Sequence, residues 1–170
     1  NMTRGPWVIS KTSKPFGRDA QMHDSSFGWR FINSKMEELY GTEAMGQTAE
    51  NLAEKFNISR EDQDQFALWS QTKALKAQES GRLNREISTV EIPQRKKDPI
   101  VFAADEYIKP GTTMEILAKL RPAFKKDGSV TAGNSAGLND GAAAMLLASE
   151  EGIKQHNLKP IARIVSSAVV

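Results

Sequence analysis

Gly133, Gly137 and Gly141 recur every four residues within residues 129–144, a stretch that also holds Asn134, Asn139 and Asp140 and runs into the apolar Met145-Leu146-Leu147-Ala148. Glycine at this spacing lets the backbone turn sharply and come close to a ligand or to another segment. The chemistry such a stretch suits is the cradling of a ligand by main chain and small side chains. A tight turn between packed elements has the same composition, so the loop alone does not separate the two. Upstream lies a second marked stretch, Leu120-Arg121-Pro122-Ala123-Phe124, and the pair is more specific than either part. Bond-breaking groups are scarce. The chain has no cysteine, hence no thiol nucleophile and no disulfide, and its two histidines, His23 and His156, read as surface or turn residues.

The rest of the sequence must position these residues. At 170 residues it can form one domain with a sizeable core, or one and a half small ones. Its 23 basic and 21 acidic residues are spread along the chain, which argues against a dedicated nucleic-acid surface. The densest basic run, Arg95-Lys96-Lys97, is followed by Asp98-Pro99 and reads as a solvated loop tip. No apolar run reaches the roughly 18 residues a membrane span needs, and no signal peptide is visible. The absence of cysteine agrees with a cytoplasmic location, which is the expectation.

Residues 1–35 are rich in turn formers and predict an extended, looping segment, with Trp7, Phe16, Phe27, Trp29 and Phe31 pinning it to a neighbour. Helical patterning follows at 34–40 and 48–56. The clearest helix is 60–80, with Ser59 as N-cap, Asp62 in capping-box position and Gly81 at its end. Its face of Phe66, Ala67, Ser70, Ala74 and Ala77 suits close packing against another helix. Residues 87–92 and 100–102 predict short strands, and Thr113 opens a helix through Leu117 and Leu120 that stops before Pro122. Residues 142–148 read as a fully buried strand, Ser149 caps a short helix to His156, and 161–165 read as a further strand. The last third thus predicts a strand–helix–strand unit of an α/β protein. The chain closes on Val169-Val170 without turn or cap, which points to truncation within a larger fold.

Four collinear blocks resemble the thiolase family, enzymes that make or cleave 3-oxoacyl-CoA thioesters. They are Asn1-Met2-Thr3-Arg4-Gly5-Pro6; Met45-Gly46-Gln47-Thr48-Ala49-Glu50-Asn51 with Ser59-Arg60-Glu61-Asp62-Gln63-Asp64; residues 120–124; and residues 131–144. The resemblance implies a thiolase-like α/β fold. Residues 1–128 would form the loop domain inserted in the N-terminal half, 129–158 the return to the N-terminal catalytic domain, and 159–170 the start of the C-terminal domain.

It also implies coenzyme A as substrate, with no covalently bound cofactor and no metal. Met36 and Met45 would line the pantetheine channel, Ala123, Phe124, Ala132 and Leu138 its other wall, and Lys109 and Leu120 would lie near the adenosine end. For Met36, Met45 and Leu120, plain core packing is the competing reading. Two positions depart from the family pattern. Ala44 stands where the family often has a histidine before Met-Gly. The serine that commonly bonds pantetheine falls at Ala136, with Ser135 beside it as a replacement.

Thiolases carry the acyl group on a cysteine activated by a histidine, with a second cysteine as acid and base. Neither these nor the family's Asn-Glu-Ala-Phe and Gly-His-Pro segments occur here, so the resemblance implies no catalytic residue in this chain and no catalysis by it alone. His23-Asp24-Ser25-Ser26-Phe27-Gly28-Trp29-Arg30-Phe31 resembles an Asp-Thr-Thr-Ile-Gly-Trp-Arg-Phe segment of thiolases that cleave 3-oxoadipyl-CoA to succinyl-CoA and acetyl-CoA in aromatic-compound breakdown. Arg30 would serve the distal carboxylate, or else make a structural salt bridge. The alternatives are an acetyl-CoA acetyltransferase acting on acetoacetyl-CoA, and a non-catalytic CoA-binding or assembly module. The implied partners are an acyl-CoA and further copies of the subunit in a dimer or tetramer, with no nucleic acid and no membrane.

Overall fold

The computed structural model describes residues 3–26 and 28–169. They divide into two compact units, one up to Asn139 and one from Asp140 onward.

The first unit begins with a two-stranded antiparallel ribbon of β1 (Trp7–Ile9) and β2 (Met22–Asp24), paired in the register Trp7↔Asp24, Val8↔His23 and Ile9↔Met22. The expectation that its aromatics pin this segment does not hold for the described residues. Trp7, Phe16, Trp29 and Phe31 are all exposed, Phe16 fully so, and the one aromatic contact is His23 edge-on to Phe31 at 5.9 Å. Phe27 lies outside the described residues.

Three helices follow. In α1 (Ser34–Tyr40) the Asn33 side chain accepts the backbone N–H of Lys35, and Gly41 ends the helix at φ 71°. Helix α2 (Met45–Phe56) buries one narrow stripe, Gly46, Glu50 and Ala53, on a single face. Asn57 closes it in the left-handed conformation, φ 54°, and Ile58 N–H returns to Ala53 O at 2.9 Å. Helix α3 (Arg60–Glu79) starts as the sequence predicts. Ser59 Oγ accepts from Asp62 N–H at 3.0 Å and donates to Asp62 Oδ2 at 2.7 Å.

A single 3₁₀ turn, Arg82–Arg85, follows α3, and residues 87–89 of the predicted strand 87–92 carry no regular structure. Only its end pairs, as β3 (Val90–Ile92) against β4 (Ile100–Phe102). Thr113 caps α4 (Met114–Ala118), which buries Leu117. The chain then reverses at residues 122–131, where Pro122 bridges Thr131 and Ala123 N–H donates to Val130 O at 2.9 Å.

The buried centre of this unit is as polar as it is apolar. Ala53, Leu117 and Val130 share it with Glu50, Asp64 and Thr131, and those three are its largest fully buried side chains. Burying carboxylates costs more than it returns unless every oxygen is satisfied. Among the described residues no buried side-chain polar atom lacks a partner.

In the second unit α5 (Glu150–Gln155) forms, capped by Ser149 Oγ accepting from Gly152 N–H at 3.1 Å. The predicted strands on either side do not. Residues 142–148 and 161–165 carry no ladder, and Met145, Leu146, Leu147, Ile164 and Val165 are exposed. A strand exists only where a neighbour takes its N–H and C=O groups, and no partner strand is present among the described residues of this unit.

Candidate functional site

The Gly-rich turn is held by two helices through buried carboxylates. From α2, Glu50 accepts the N–H of Ser129 at 3.0 Å, the N–H of Val130 at 2.8 Å and the Ser129 hydroxyl at 3.2 Å. Burial pushes the Glu50 carboxyl up. The Ser129 and Val130 N–H groups, the Ser129 hydroxyl and the charge of Lys125 outweigh that, and it is held below its ordinary value. From α3, Asp64 pairs with Arg60 through Nε and Oδ2 at 2.8 Å, while its Oδ1 accepts from Asn134 Nδ2 at 3.0 Å. Gln63 adds a hydrogen bond to Ser129 Oγ at 2.9 Å.

Within the turn, Asn134 Oδ1 accepts the Thr131 N–H at 2.7 Å, Thr131 Oγ1 accepts the Gly133 N–H at 3.2 Å, and Ser135 Oγ donates to Thr131 O at 2.6 Å. The turn is therefore shaped by its own side chains and fixed in place by α2 and α3.

Two adjoining cavities open beside it. The larger, about 390 Å³, lies between α3 (Ala67, Ser70, Ala74), Tyr107 and the turn from Gly133 to Gly137. The smaller, about 250 Å³, is bounded by Lys109, Leu117, Leu120, Ala132 and Ser135, and both share Gln71, Tyr107, Gly133 and Ser135. The small-residue face of α3 thus borders a cavity, where the sequence suggested a neighbouring helix. Gln71 Oε1 accepts the Lys109 N–H at 2.9 Å, which ties the 105–112 loop to α3, and the Lys109 ammonium stands 5.7 Å from the Tyr107 ring centre.

The glycines earn their place by close approach. A side chain at Gly133 would run into Leu120 and Leu117, and one at Gly137 into the Tyr107 hydroxyl, whereas Gly141 has open space around it.

Of the residues singled out from sequence, Lys109, Leu120, Ala132 and Ser135 converge on the smaller cavity. Ala123 is taken up in the backbone pairing with Val130, and the Phe124 ring lies over Gly46 where no side chain intervenes. Met36, Met45 and Leu138 border neither cavity, and Met45 is 81% exposed. Arg30 folds back on its own loop. Its Nε donates to Asp24 O at 2.7 Å and a terminal nitrogen to Trp29 O at 3.1 Å, beside an Asp24 carboxyl held low chiefly by its hydrogen bonds from Ser26.

Sequence reasoning assigned no role to Glu50, Asp64, Asn134, Gln71 or Tyr107. No sequence signal marks them: that Glu50 shares a buried stripe with Gly46 and Ala53 emerges only in the fold. No helix among the described residues is long and apolar enough to cross a membrane, and no cluster of metal-binding side chains occurs among them.

Comparison with known proteins places this arrangement. Residues 1–151 match the family model for the thiolase N-terminal domain. The chain is 51% identical over all 170 residues to a beta-ketoadipyl-CoA thiolase of Acinetobacter baylyi. It is 46% identical over 168 residues to the 3-oxoadipyl-CoA/3-oxo-5,6-dehydrosuberyl-CoA thiolase of Escherichia coli. Each match covers 42% of the relative's length, so the chain spans well under half of the proteins it resembles. In three dimensions, 94% of the chain superposes on 38% of human mitochondrial 3-ketoacyl-CoA thiolase in complex with CoA, with a TM-score of 0.70 at 38% identity. The fold is therefore part of the thiolase-like α/β fold, and the chain belongs to the thiolase family.

Proposed function

We propose that this chain supplies the coenzyme A-holding part of a thiolase subunit. The observation that carries the reading is the convergence of Lys109, Leu120, Ala132 and Ser135 on one cavity beside a rigidly held turn. A slot in which Ile116, Leu117, Leu120 and Ala132 alternate with the polar Gln71, Thr112 and Ser135 suits a pantetheine arm, whose amides need partners, and the Lys109 cation suits phosphate. Ser135 gives its hydroxyl proton to Thr131 O, which leaves it an acceptor for an amide N–H of the arm. It replaces the serine that Ala136 lacks. On this reading residues 1–128 serve as the loop domain, 129–158 return to the N-terminal catalytic domain, and 159–170 begin the C-terminal domain. Met36, Met45, Ala123, Phe124 and Leu138 border the arm further along its path.

The reaction is cleavage or formation of a 3-oxoacyl-CoA by thiolysis. The sequence holds no cysteine, so residues other than these 170 carry the chemical step. The names of the relatives in A. baylyi and E. coli support 3-oxoadipyl-CoA as substrate, giving succinyl-CoA and acetyl-CoA. Arg30 serves the distal carboxylate only if it leaves the carbonyls of Asp24 and Trp29. Two measurements test the reading. Calorimetric titration of the 170-residue chain with coenzyme A should give saturable heat, and none at saturating ligand leaves only an assembly role. An enzyme containing this chain should turn over 3-oxoadipyl-CoA faster than acetoacetyl-CoA, and the reverse order moves it to the acetoacetyl-CoA class.

A second reading, association with further copies in a dimer or tetramer, is favoured by the exposed apolar residues of the first ribbon, Trp7, Ile9 and Met22.

A further inference from the structure

Asp64 is 1% exposed, and nothing in thiolysis or in coenzyme A recognition as read above uses it. Its two carboxylate oxygens bond toward the two segments that bound the smaller cavity. Oδ2 holds Arg60, whose Nη2 reaches past it to donate to Leu117 O at 2.6 Å and Leu120 O at 3.1 Å, the carbonyls that end the α4 wall. Oδ1 holds Asn134 Nδ2, and Asn134 in turn fixes the opposite wall by accepting the Thr131 N–H and donating to Ser129 O at 3.2 Å. Leu117 and Leu120 on one side, and Ala132, Gly133 and Ser135 on the other, bound the same space.

We infer that the Arg60–Asp64–Asn134 relay is a gauge: a buried carboxylate bonded toward both walls acts with the Pro122–Thr131 bridge and the Ala123–Val130 hydrogen bond, which join the same segments directly, to set the wall separation and so the width of the slot. The geometry supports this over simple helix stabilisation. An Arg–Asp pair four residues apart on a helix needs neither the 57- and 60-residue reach to α4 nor the 70-residue reach to the turn. Charge-assisted bonds inside a low-dielectric site are stiff and directional, which is what a spacer requires. Asp64 is thus a positioning residue. Its consequence for ligand affinity rests on the coenzyme A reading, while its control of the walls does not.

The test is amide hydrogen exchange on the 170-residue chain without ligand, for three variants. Asp64→Asn should raise exchange about tenfold or more at residues of both walls, the scale of losing a hydrogen bond to a charged group. Arg60→Lys should open only the α4 wall, and Asn134→Ala only the 131–135 turn. Acceleration confined to one wall in Asp64→Asn overturns the gauge. Uniform acceleration across α2 and α3 would mean that Asp64→Asn unfolds the unit. The two single-wall variants then decide, and either one loosening both walls overturns it. Calorimetry with coenzyme A on the same proteins separates the two claims. No heat from the unmodified chain sinks the coenzyme A reading alone. Binding by the unmodified chain and by Asp64→Asn with equal affinity sinks the gauge alone.

Discussion

Glu50 collects the N–H groups of Ser129 and Val130 and the Ser129 hydroxyl, and its buried carboxyl accepts them most strongly when charged. Replacing it with glutamine keeps the shape, loses the charge and turns an NH₂ group toward N–H donors. Glu50→Gln should therefore cost about 2 kcal/mol in denaturant unfolding. The pH dependence follows from the depressed folded pKa. Stability from Glu50 is complete above the ordinary value of 4.5 and is lost as pH falls through the lower folded value. Acid titration of stability should show that loss in the unmodified chain and a flatter limb in Glu50→Gln. Close approach sets a second residue-level limit. At Gly46 an added methyl would overlap the Phe124 ring, so Gly46→Ala should destabilise by about 1–2 kcal/mol despite alanine's better helix propensity. A rise in melting temperature would contradict the packing described. Leu120, Ala132 and Ser135 could be singled out because they sit within recognisable blocks, whereas Lys109 lies outside all four. Glu50 and Asp64 could not: a buried acid on a helix has the same sequence signature as a solvated one, and their partners lie 79 and 70 residues away.

At the scale of elements, local chemistry decided what could be read ahead. Asn33, Ser59, Thr113 and Ser149 each cap a helix with their own oxygen, and for α3, α4 and α5 the start was legible from that residue type. Helix α2 lacks such a group, since Ala44 makes no side-chain cap. Ala44→Asp should add about 0.5–1 kcal/mol, and Ser59→Ala should remove about 1 kcal/mol, both measured by thermal unfolding. The strands read differently. The apolar runs 142–148 and 161–165 have strand composition, but composition does not say whether a neighbour exists to pair with. Here the runs stay unpaired within their unit. Likewise only three of six residues in 87–92 form a strand, because β4 supplies partners only to Val90, Glu91 and Ile92.

For the molecule as a whole, the division after Asn139 has a direct consequence. Residues 140–169 hold one six-residue helix and exposed apolar segments, while the turn at 129–135 is fixed by hydrogen bonds to α2 and α3. Limited proteolysis should cut within residues 140–148 well before it cuts within α2 or α3, and cleavage in α3 first would contradict that account. On the reading proposed here, the slot between α4 and the Gly-rich turn takes coenzyme A. The most direct measurement is mapping amide chemical shifts of the chain during titration with coenzyme A. Perturbations should concentrate at Lys109, Leu120, Ala132, Gly133 and Ser135 and saturate together with a single affinity. Absence of any perturbation, or perturbations centred on the β1–β2 ribbon instead, would contradict it.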